Sequence, residues 1–188
     1  KHMNKTAIQV DYNQAKNVAH KLIINNEIFG LFVLLSLETG IRANDLLQLE
    51  KLNFIKDENS QRHLVNFTAA KTRKRATRPI SRYAYNLAMQ KETNAIFYNI
   101  KYGCKYSHTW ASRKMKENFS EYINKAKSHG MNVSPHSLRK AAGAEIYKKY
   151  GIEGARDFLQ HENYDTTKVY LKITETELNE KIIDALAL

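Results

Sequence analysis

The chain has 188 residues, with 30 Lys and Arg against 19 Asp and Glu, for a formal charge of +11 and an isoelectric point near 9.6. That length allows one domain with a sizeable core, the 43% hydrophobic content is ordinary for a globular chain, and the lone Cys104 excludes an internal disulfide framework or a cysteine-built zinc site. The balance of charge favours a polyanionic partner, and the longest apolar run, Ile28 to Leu37, falls short of the roughly 20 residues that span a bilayer.

No basic-then-apolar leader opens the chain, so the expectation is a soluble, cytoplasmic protein with no membrane partner. Lys1-His2-Met3 is consistent with a cloning remnant, which would make residues 4–188 one domain of a longer polypeptide. The charge is uneven. From Asn59 to Lys91 there is no acid, while Arg62, Lys71, Arg73, Lys74, Arg75, Arg78, Arg82 and Lys91 supply eight cations. The stretch from Lys172 to Leu188 reverses this, with Glu175, Glu177, Glu180 and Asp184 against two lysines.

Apolar spacing predicts helices over Ala15 to Ile24 and Ile28 to Leu37, the second apolar nearly all round and therefore buried, with Thr39-Gly40 ending it. A short third helix follows, with an apolar face of Leu46, Leu47, Leu49 and Leu52, while Arg42 and Asp45 share another face at its start. Leu64 to Thr68 and Ala76 to Ile80 read as strands on either side of a basic hairpin tip, Lys71-Thr72-Arg73-Lys74-Arg75, before a helix after Ser81. One long amphipathic helix is expected from Ser107 to Lys127, placing Trp110, Met115, Phe119, Tyr122, Ile123 and Ala126 near one side and stopping at Gly130. Pro135 precedes a helix from about Ser137 to Tyr150, closed by Gly151, and a brief helix over Glu153 to Leu159 leads to a loop with His161. Asp165 is the expected cap of a last turn or two carrying Tyr170. With no repeat, low-complexity stretch or linker, the fold class is mainly α with a small antiparallel β-sheet (α+β), in a single domain.

Two boxes have no structural reason to recur. Pro135-His136-Ser137-Leu138-Arg139 puts an arginine three positions after a histidine, and Leu159-Gln160-His161 runs on through Asp165-Thr166-Thr167-Lys168-Val169-Tyr170, with nine positions from His161 to Tyr170. Upstream stand Thr39-Gly40-Ile41-Arg42, Asp45, and Lys71 within Ala-Lys-Thr. In the order Arg42, Lys71, His136, Arg139, His161, Tyr170, the chain resembles the catalytic domain of the tyrosine recombinases, the phage-type integrase family. The resemblance runs from about Asp11 and implies that fold, with the N-terminal DNA-binding domain of such proteins lying outside this chain.

The resemblance implies site-specific cleavage and rejoining of double-stranded DNA in a bacterial or archaeal cell, for integration or excision of a mobile element, through a 3′-phosphotyrosyl intermediate. No cofactor, neither ATP nor metal, is implied. Partners would be DNA and further copies of the chain, a tetrameric synapse by analogy. A phosphodiester repels nucleophiles and gathers charge on its equatorial oxygens during displacement, which calls for fixed cationic donors. Arginine binds two phosphate oxygens at once and never deprotonates, so Arg42 and Arg139 suit the clamp. Lys71 matches the hairpin lysine that protonates the departing 5′ oxygen. His136 and His161 would bond the phosphate or manage protons, Tyr170 would attack, and Asp45 would brace the basic groups. Arg73, Lys74, Arg75 and Arg78 would hold the DNA backbone.

Two positions depart from the family pattern. Gln160 stands where a glycine is frequent, so the turn could differ in shape, and Lys140 replaces a common histidine, adding a phosphate contact. Taken singly, each residue has a plainer reading: Tyr170 as one of 11 tyrosines, Lys71 as one cation of a basic loop, and His2, His20, His63, His108 and His129 as surface or structural histidines. The ordered hexad separates the integrase reading from its rivals, a type IB topoisomerase-like enzyme and a non-catalytic DNA-binding domain. A zinc protease is excluded by spacing, because Asp165 stands where H-E-x-x-H would continue after His161-Glu162. The segment with Leu178, Ile182, Ile183, Leu186 and Leu188 resembles a tail that packs either on its own core or on a neighbouring protomer.

Overall fold

A computed structural model describes residues 6–58 and 60–171, so the expectations for the first three residues and for the acidic C-terminal segment lie outside the described residues. The chain divides into two compact units, Lys1–Ala142 and Gly143–Leu188. The first is built on a helical hairpin. Helix α1 (Tyr12–Ile24) starts at Asp11, whose carboxylate accepts from Gln14 N at 2.7 Å. Helix α2 (Ile28–Thr39) buries ten of its twelve residues, which makes it the spine of the core. Gly30 is what lets α1 lie against it: a β-carbon there would sit 2.7 Å from Ile23 N and 2.8 Å from Ala19 O.

After α2 come the four-residue α3 (Ala43–Leu46) and a 3₁₀ turn, Lys51–Asn53. Leu46, Leu47 and Leu49 are buried as expected, but the helix ends too early to carry Leu52 inward, and that side chain is 77% exposed. Strands β1 (Phe54–Asp57), β2 (Arg62–Thr68) and β3 (Arg75–Ile80) form an antiparallel sheet in that order. Its register pairs Val65 with Arg78, Asn66 with Thr77, Phe67 with Ala76 and Thr68 with Arg75. Alternation then puts Val65, Phe67 and Ile80 on the buried face, and Asn66, Thr68, Arg75 and Thr77 on the other.

Helix α4 (Arg82–Met89) is capped by Ser81, and the two-residue strands β4 (Tyr98–Asn99) and β5 (Cys104–Lys105) pair before α5 (His108–Asn118). Trp110 of α5 meets Phe29 and Phe32 of α2 edge-on, at centroid distances of 5.6 and 6.1 Å, and Tyr106 stacks on it at 4.1 Å. Phe29 and Phe32 are fully buried, each worth roughly 1.5–3 kcal/mol, and the half-buried Trp110 and Tyr106 packed on them fix the start of α5 on the core.

The single long helix expected from Ser107 is two helices, α5 and α6 (Glu121–Ser128), because Phe119 leaves the helical basin at φ −130°, ψ 39°. Phe119 is itself fully buried. The bend brings Tyr122 to the start of α1, where its hydroxyl accepts from Asp11 N at 2.9 Å and donates to Gln14 Oε1 at 2.7 Å. The apolar spacing continues across the break, which is why periodicity alone does not reveal it.

Helix α7 (Pro135–Leu159) holds a break where it was expected, at Gly151, with φ 68° and ψ −167°. In the second unit Leu159 packs on Gly143, where a β-carbon would come within 2.8 Å of the leucine Cδ1. Helix α8 (Tyr164–Leu171) completes the described chain. Among the described residues no helix is long and apolar enough to cross a membrane. The backbone at Gly151 lies in a region open essentially to glycine alone, so Gly151→Ala should lower the unfolding free energy by about 1–3 kcal/mol, read from urea denaturation. An unchanged midpoint would show that the break tolerates a side chain.

Candidate active site

The turn after α2 is built residue by residue. Thr39, 1% exposed, donates its hydroxyl to Leu35 O at 2.6 Å and accepts from Ile41 N at 3.2 Å. Gly40 takes the left-handed conformation, φ 60° and ψ 15°, and its N–H closes the helix on Ser36 O at 3.0 Å. Ile41 is buried, which anchors the chain, and Arg42 then stands half-buried in extended backbone as the cap of α3. The left-handed turn also directs the Gly40 carbonyl to the Arg139 guanidinium, whose Nη1 donates to it. Arg139 is only 4% exposed, and that bond crosses from α7 to the end of α2.

The start of α7 is fixed by two serines, with Ser137 N donating to Ser134 O at 2.8 Å and Ser134 N donating to Ser137 Oγ at 3.2 Å. Leu138 is fully buried between His136 and Arg139, so the flanking side chains are held to one course. The His136 pKa is lowered first by burial and then by the charges of Arg139, His108, Arg42 and Lys140. The residue keeps an exposed surface, so the crowding comes from one side of the ring. These groups therefore form one cluster in the first unit. His108, in the first turn of α5, had been set aside with the surface histidines. It belongs to no box and carries no spacing signal, and it joins the cluster only because Trp110 pins α5 to α2.

Asp45 is 8% exposed, and its Oδ1 accepts from Ala70 N at 3.1 Å, while Oδ2 is buried with no hydrogen-bond partner among the described residues. What the carboxylate holds is thus the backbone just before Lys71. Lys71 lies exposed in the turn between β2 and β3, which is closed by Ala69 N to Lys74 O at 2.9 Å and Arg73 N to Ala69 O at 2.7 Å. Arg73, Lys74 and Arg75 are exposed beside it. Two further cations expected to contact DNA are less exposed than these. Arg78 shares the core-facing register of Val65, half-buried, with a guanidinium that donates to Thr77 O at 3.2 Å. Lys140 is 3% exposed and lies among the basic cluster of α7 rather than on the surface.

In the second unit α7 closes on Gln160, whose φ of 51° is the left-handed value that a glycine would take. Gln160 N donates to Asp157 O at 3.2 Å and His161 N to Arg156 O at 3.0 Å. His161 Nδ1 lies 3.1 Å from the hydroxyl of fully buried Thr167, and its ring meets that of half-buried Tyr170 edge-on at 5.0 Å. Histidine and tyrosine are thus brought together by α8. The cap of that helix is Asn163, whose Oδ1 accepts from Thr166 N at 2.8 Å and from its hydroxyl at 2.7 Å. Asp165, the expected cap, is exposed within the first turn, because the helix begins two residues earlier than it would with Asp165 as its cap.

Among the described residues no group of three or more His, Cys, Asp or Glu is placed to hold a metal ion. Asp45→Ala would orphan the Ala70 amide and should cost about 1–3 kcal/mol of stability, with Asp45→Asn costing less because an acceptor remains; urea unfolding of both variants checks this. For His136, a lowered pKa means that the unfolded chain takes up the proton first as pH falls. The stabilising contribution is whole above the ordinary value of 6.5 and is lost below it. Wild-type stability should therefore drop more steeply between about pH 7 and about pH 5 than that of His136→Gln, and parallel profiles would remove His136 as the cause.

A family model described as the phage integrase family matches residues 6–177. The fold is similar to that of XerA recombinase, at 16% identity over 97% of this chain and 66% of that one, with a TM-score of 0.69. It is similar to XerH site-specific recombinase in a post-cleavage complex with palindromic difH substrate, at 16% identity, 96% and 53% coverage and a TM-score of 0.70. A lambda integrase dimer bound to a COC′ core site matches at 16% identity, 91% and 49% coverage and a TM-score of 0.67. The chain thus spans between half and two thirds of the length of these solved proteins. No curated protein matches its sequence. With the family model spanning both units and every box of the hexad, the chain belongs to the phage integrase family, the tyrosine recombinases.

Proposed function

We propose that this chain is the catalytic domain of a site-specific DNA recombinase that cuts and rejoins strands through a 3′-phosphotyrosyl bond, serving integration or excision of a mobile element. The observation that carries the reading is the seating of Arg139 on the Gly40 carbonyl, in the same turn that presents Arg42. Two arginines held by one backbone turn make a rigid bidentate donor set for a phosphate, which flexible surface cations would not.

The roles follow from the chemistry of each group. Tyr170 Oη gives its proton to a histidine imidazole and attacks phosphorus, forming the P–O(Tyr) bond as the bond to the 5′ oxygen breaks, and Lys71 supplies the proton that leaves with that oxygen. Arg42 and Arg139 stabilise the charge on the non-bridging oxygens. The lowered pKa of His136 keeps its imidazole neutral near pH 7, able to accept a proton as well as to donate a hydrogen bond. His161, oriented through Thr167, is set against the tyrosine ring. Asp45 acts through the backbone before Lys71. Religation is the reverse attack by a 5′ hydroxyl, so the phosphotyrosyl bond stores the energy and no nucleotide hydrolysis is needed. Double-stranded DNA and further copies of the chain, four in a synapse, are the partners of this reading.

A nicked suicide duplex carrying candidate element ends tests it directly. Wild-type protein should give a covalent protein–DNA band on a denaturing gel, while Tyr170→Phe binds the duplex and gives none. Adducts with the Phe variant would remove Tyr170 as nucleophile, and the absence of adducts from wild type on its cognate site would leave a binding module only.

A further inference from the structure

The face of the sheet turned away from the core has a chemical polarity that the catalytic roles do not use. At the end remote from the hairpin it is apolar, where Ile55 pairs with Leu64 and Leu64 with Pro79. At the hairpin end it is polar: Asn66 opposite Thr77, and Thr68 opposite Arg75. Together with Asn53 from the 3₁₀ turn and the intervening Phe67 and Ala76, these residues line a groove of about 570 Å³. Among the described residues no carboxylate lines it.

The hydrogen bonds within the groove leave donors toward it. A backbone N–H can only donate, so the bond from Glu50 N to Asn53 Oδ1, at 2.7 Å, occupies that carbonyl and leaves the Asn53 amide NH₂. The Thr77 hydroxyl donates to Asn66 Oδ1 at 2.6 Å, which occupies the second side-chain carbonyl in the same way. Arg75 adds an exposed guanidinium, which has acceptors nowhere in its structure. Thr68 and Arg75 also adjoin the turn that carries Lys71, Arg73 and Lys74, so the groove continues the basic hairpin.

We infer that the groove lined by Asn53, Asn66, Thr68, Arg75 and Thr77 is a seat for the phosphate backbone of duplex DNA flanking the cleaved bond. Asparagine, threonine and arginine donors are the groups that fix register on a duplex without reading its sequence. The inference rests on the DNA-processing reading above and extends the contact from the hairpin tip onto the sheet. It assigns the face a positioning role: it sets where along the strand the hairpin lysine falls.

Fluorescence anisotropy with a labelled duplex and the full chain provides the test. Asn53→Asp and Asn66→Asp each replace an outward amide by a carboxylate of equal size, and each should weaken binding about tenfold. Asn86→Asp, on exposed helix α4, makes the same change in net charge elsewhere and should stay within about twofold. Arg75→Gln, at an exposed position where folding is not at stake, should weaken binding and reduce the salt slope by about one. If the groove variants, Arg75→Gln included, bind no worse than Asn86→Asp while wild type binds firmly, the inference is overturned and the DNA reading stands. If wild type itself does not bind duplex DNA, both fall together.

Discussion

A buried guanidinium is tolerable only where its donors are satisfied, and Arg139 is satisfied in part by one backbone carbonyl, that of Gly40. Much of the first unit is arranged to put that carbonyl in place. Helix α2 must end at Thr39, since a further turn would consume the Gly40 carbonyl in its own ladder. It ends there because Gly40 takes a left-handed conformation, and the Thr39 hydroxyl, which accepts from Ile41 N, holds the turn that follows. The same turn throws Arg42 into extended backbone at the head of α3. One glycine thereby sets both the carbonyl that holds Arg139 and the backbone course that leads to Arg42.

The second unit reaches a comparable result by different means. Here a glutamine, Gln160, takes the left-handed position at the end of a helix, and a side chain with a β-carbon pays roughly 1–2 kcal/mol for it. The bonds from Gln160 N and His161 N to the last turn of α7 hold it there. His161 is then turned by the Thr167 hydroxyl, so a buried threonine one turn before Tyr170 determines how the histidine ring meets the tyrosine ring. The two threonines of the Asp-Thr-Thr-Lys box have separate work: Thr166 joins the Asn163 cap and Thr167 orients the histidine.

What could be read from the sequence follows this physics. The apolar helix α2, the basic hairpin between β2 and β3, and the break at Gly151 were legible because burial, charge and backbone freedom each leave a local mark. The bend at Phe119 was not, since an apolar face at helical spacing looks the same whether one helix or two carries it. Leu52 misled for a related reason: its spacing suits a helix that Leu47 ends. The cap at Asn163 was missed because Asp165 offers the same chemistry two residues later. Among the site residues, those in boxes could be named from order alone, whereas His108 could not, its place being set by a tryptophan contact between distant elements. Arg78 looked like its basic neighbours, but strand alternation turns it to the core face, and a count of cations along the chain does not see alternation.

The degree of fixation separates the cations by role. Arg139 is buried on a carbonyl and Lys140 is buried in α7, while Arg42 is half-buried with its backbone set at the head of α3. Electrostatic stabilisation of a displacement depends on such preorganisation, because a donor that must first be ordered loses part of its effect to that ordering. Lys71, Arg73 and Lys74 stand on an exposed turn whose main anchor to the rest of the unit is the bond from Ala70 N to Asp45. Under the proposed function Lys71 would need that compromise as general acid: enough freedom to follow a leaving oxygen, and a carboxylate to keep its backbone in range. Asp45 suits that task because one carboxylate oxygen accepts from Ala70 N while the other is buried with no hydrogen-bond partner among the described residues.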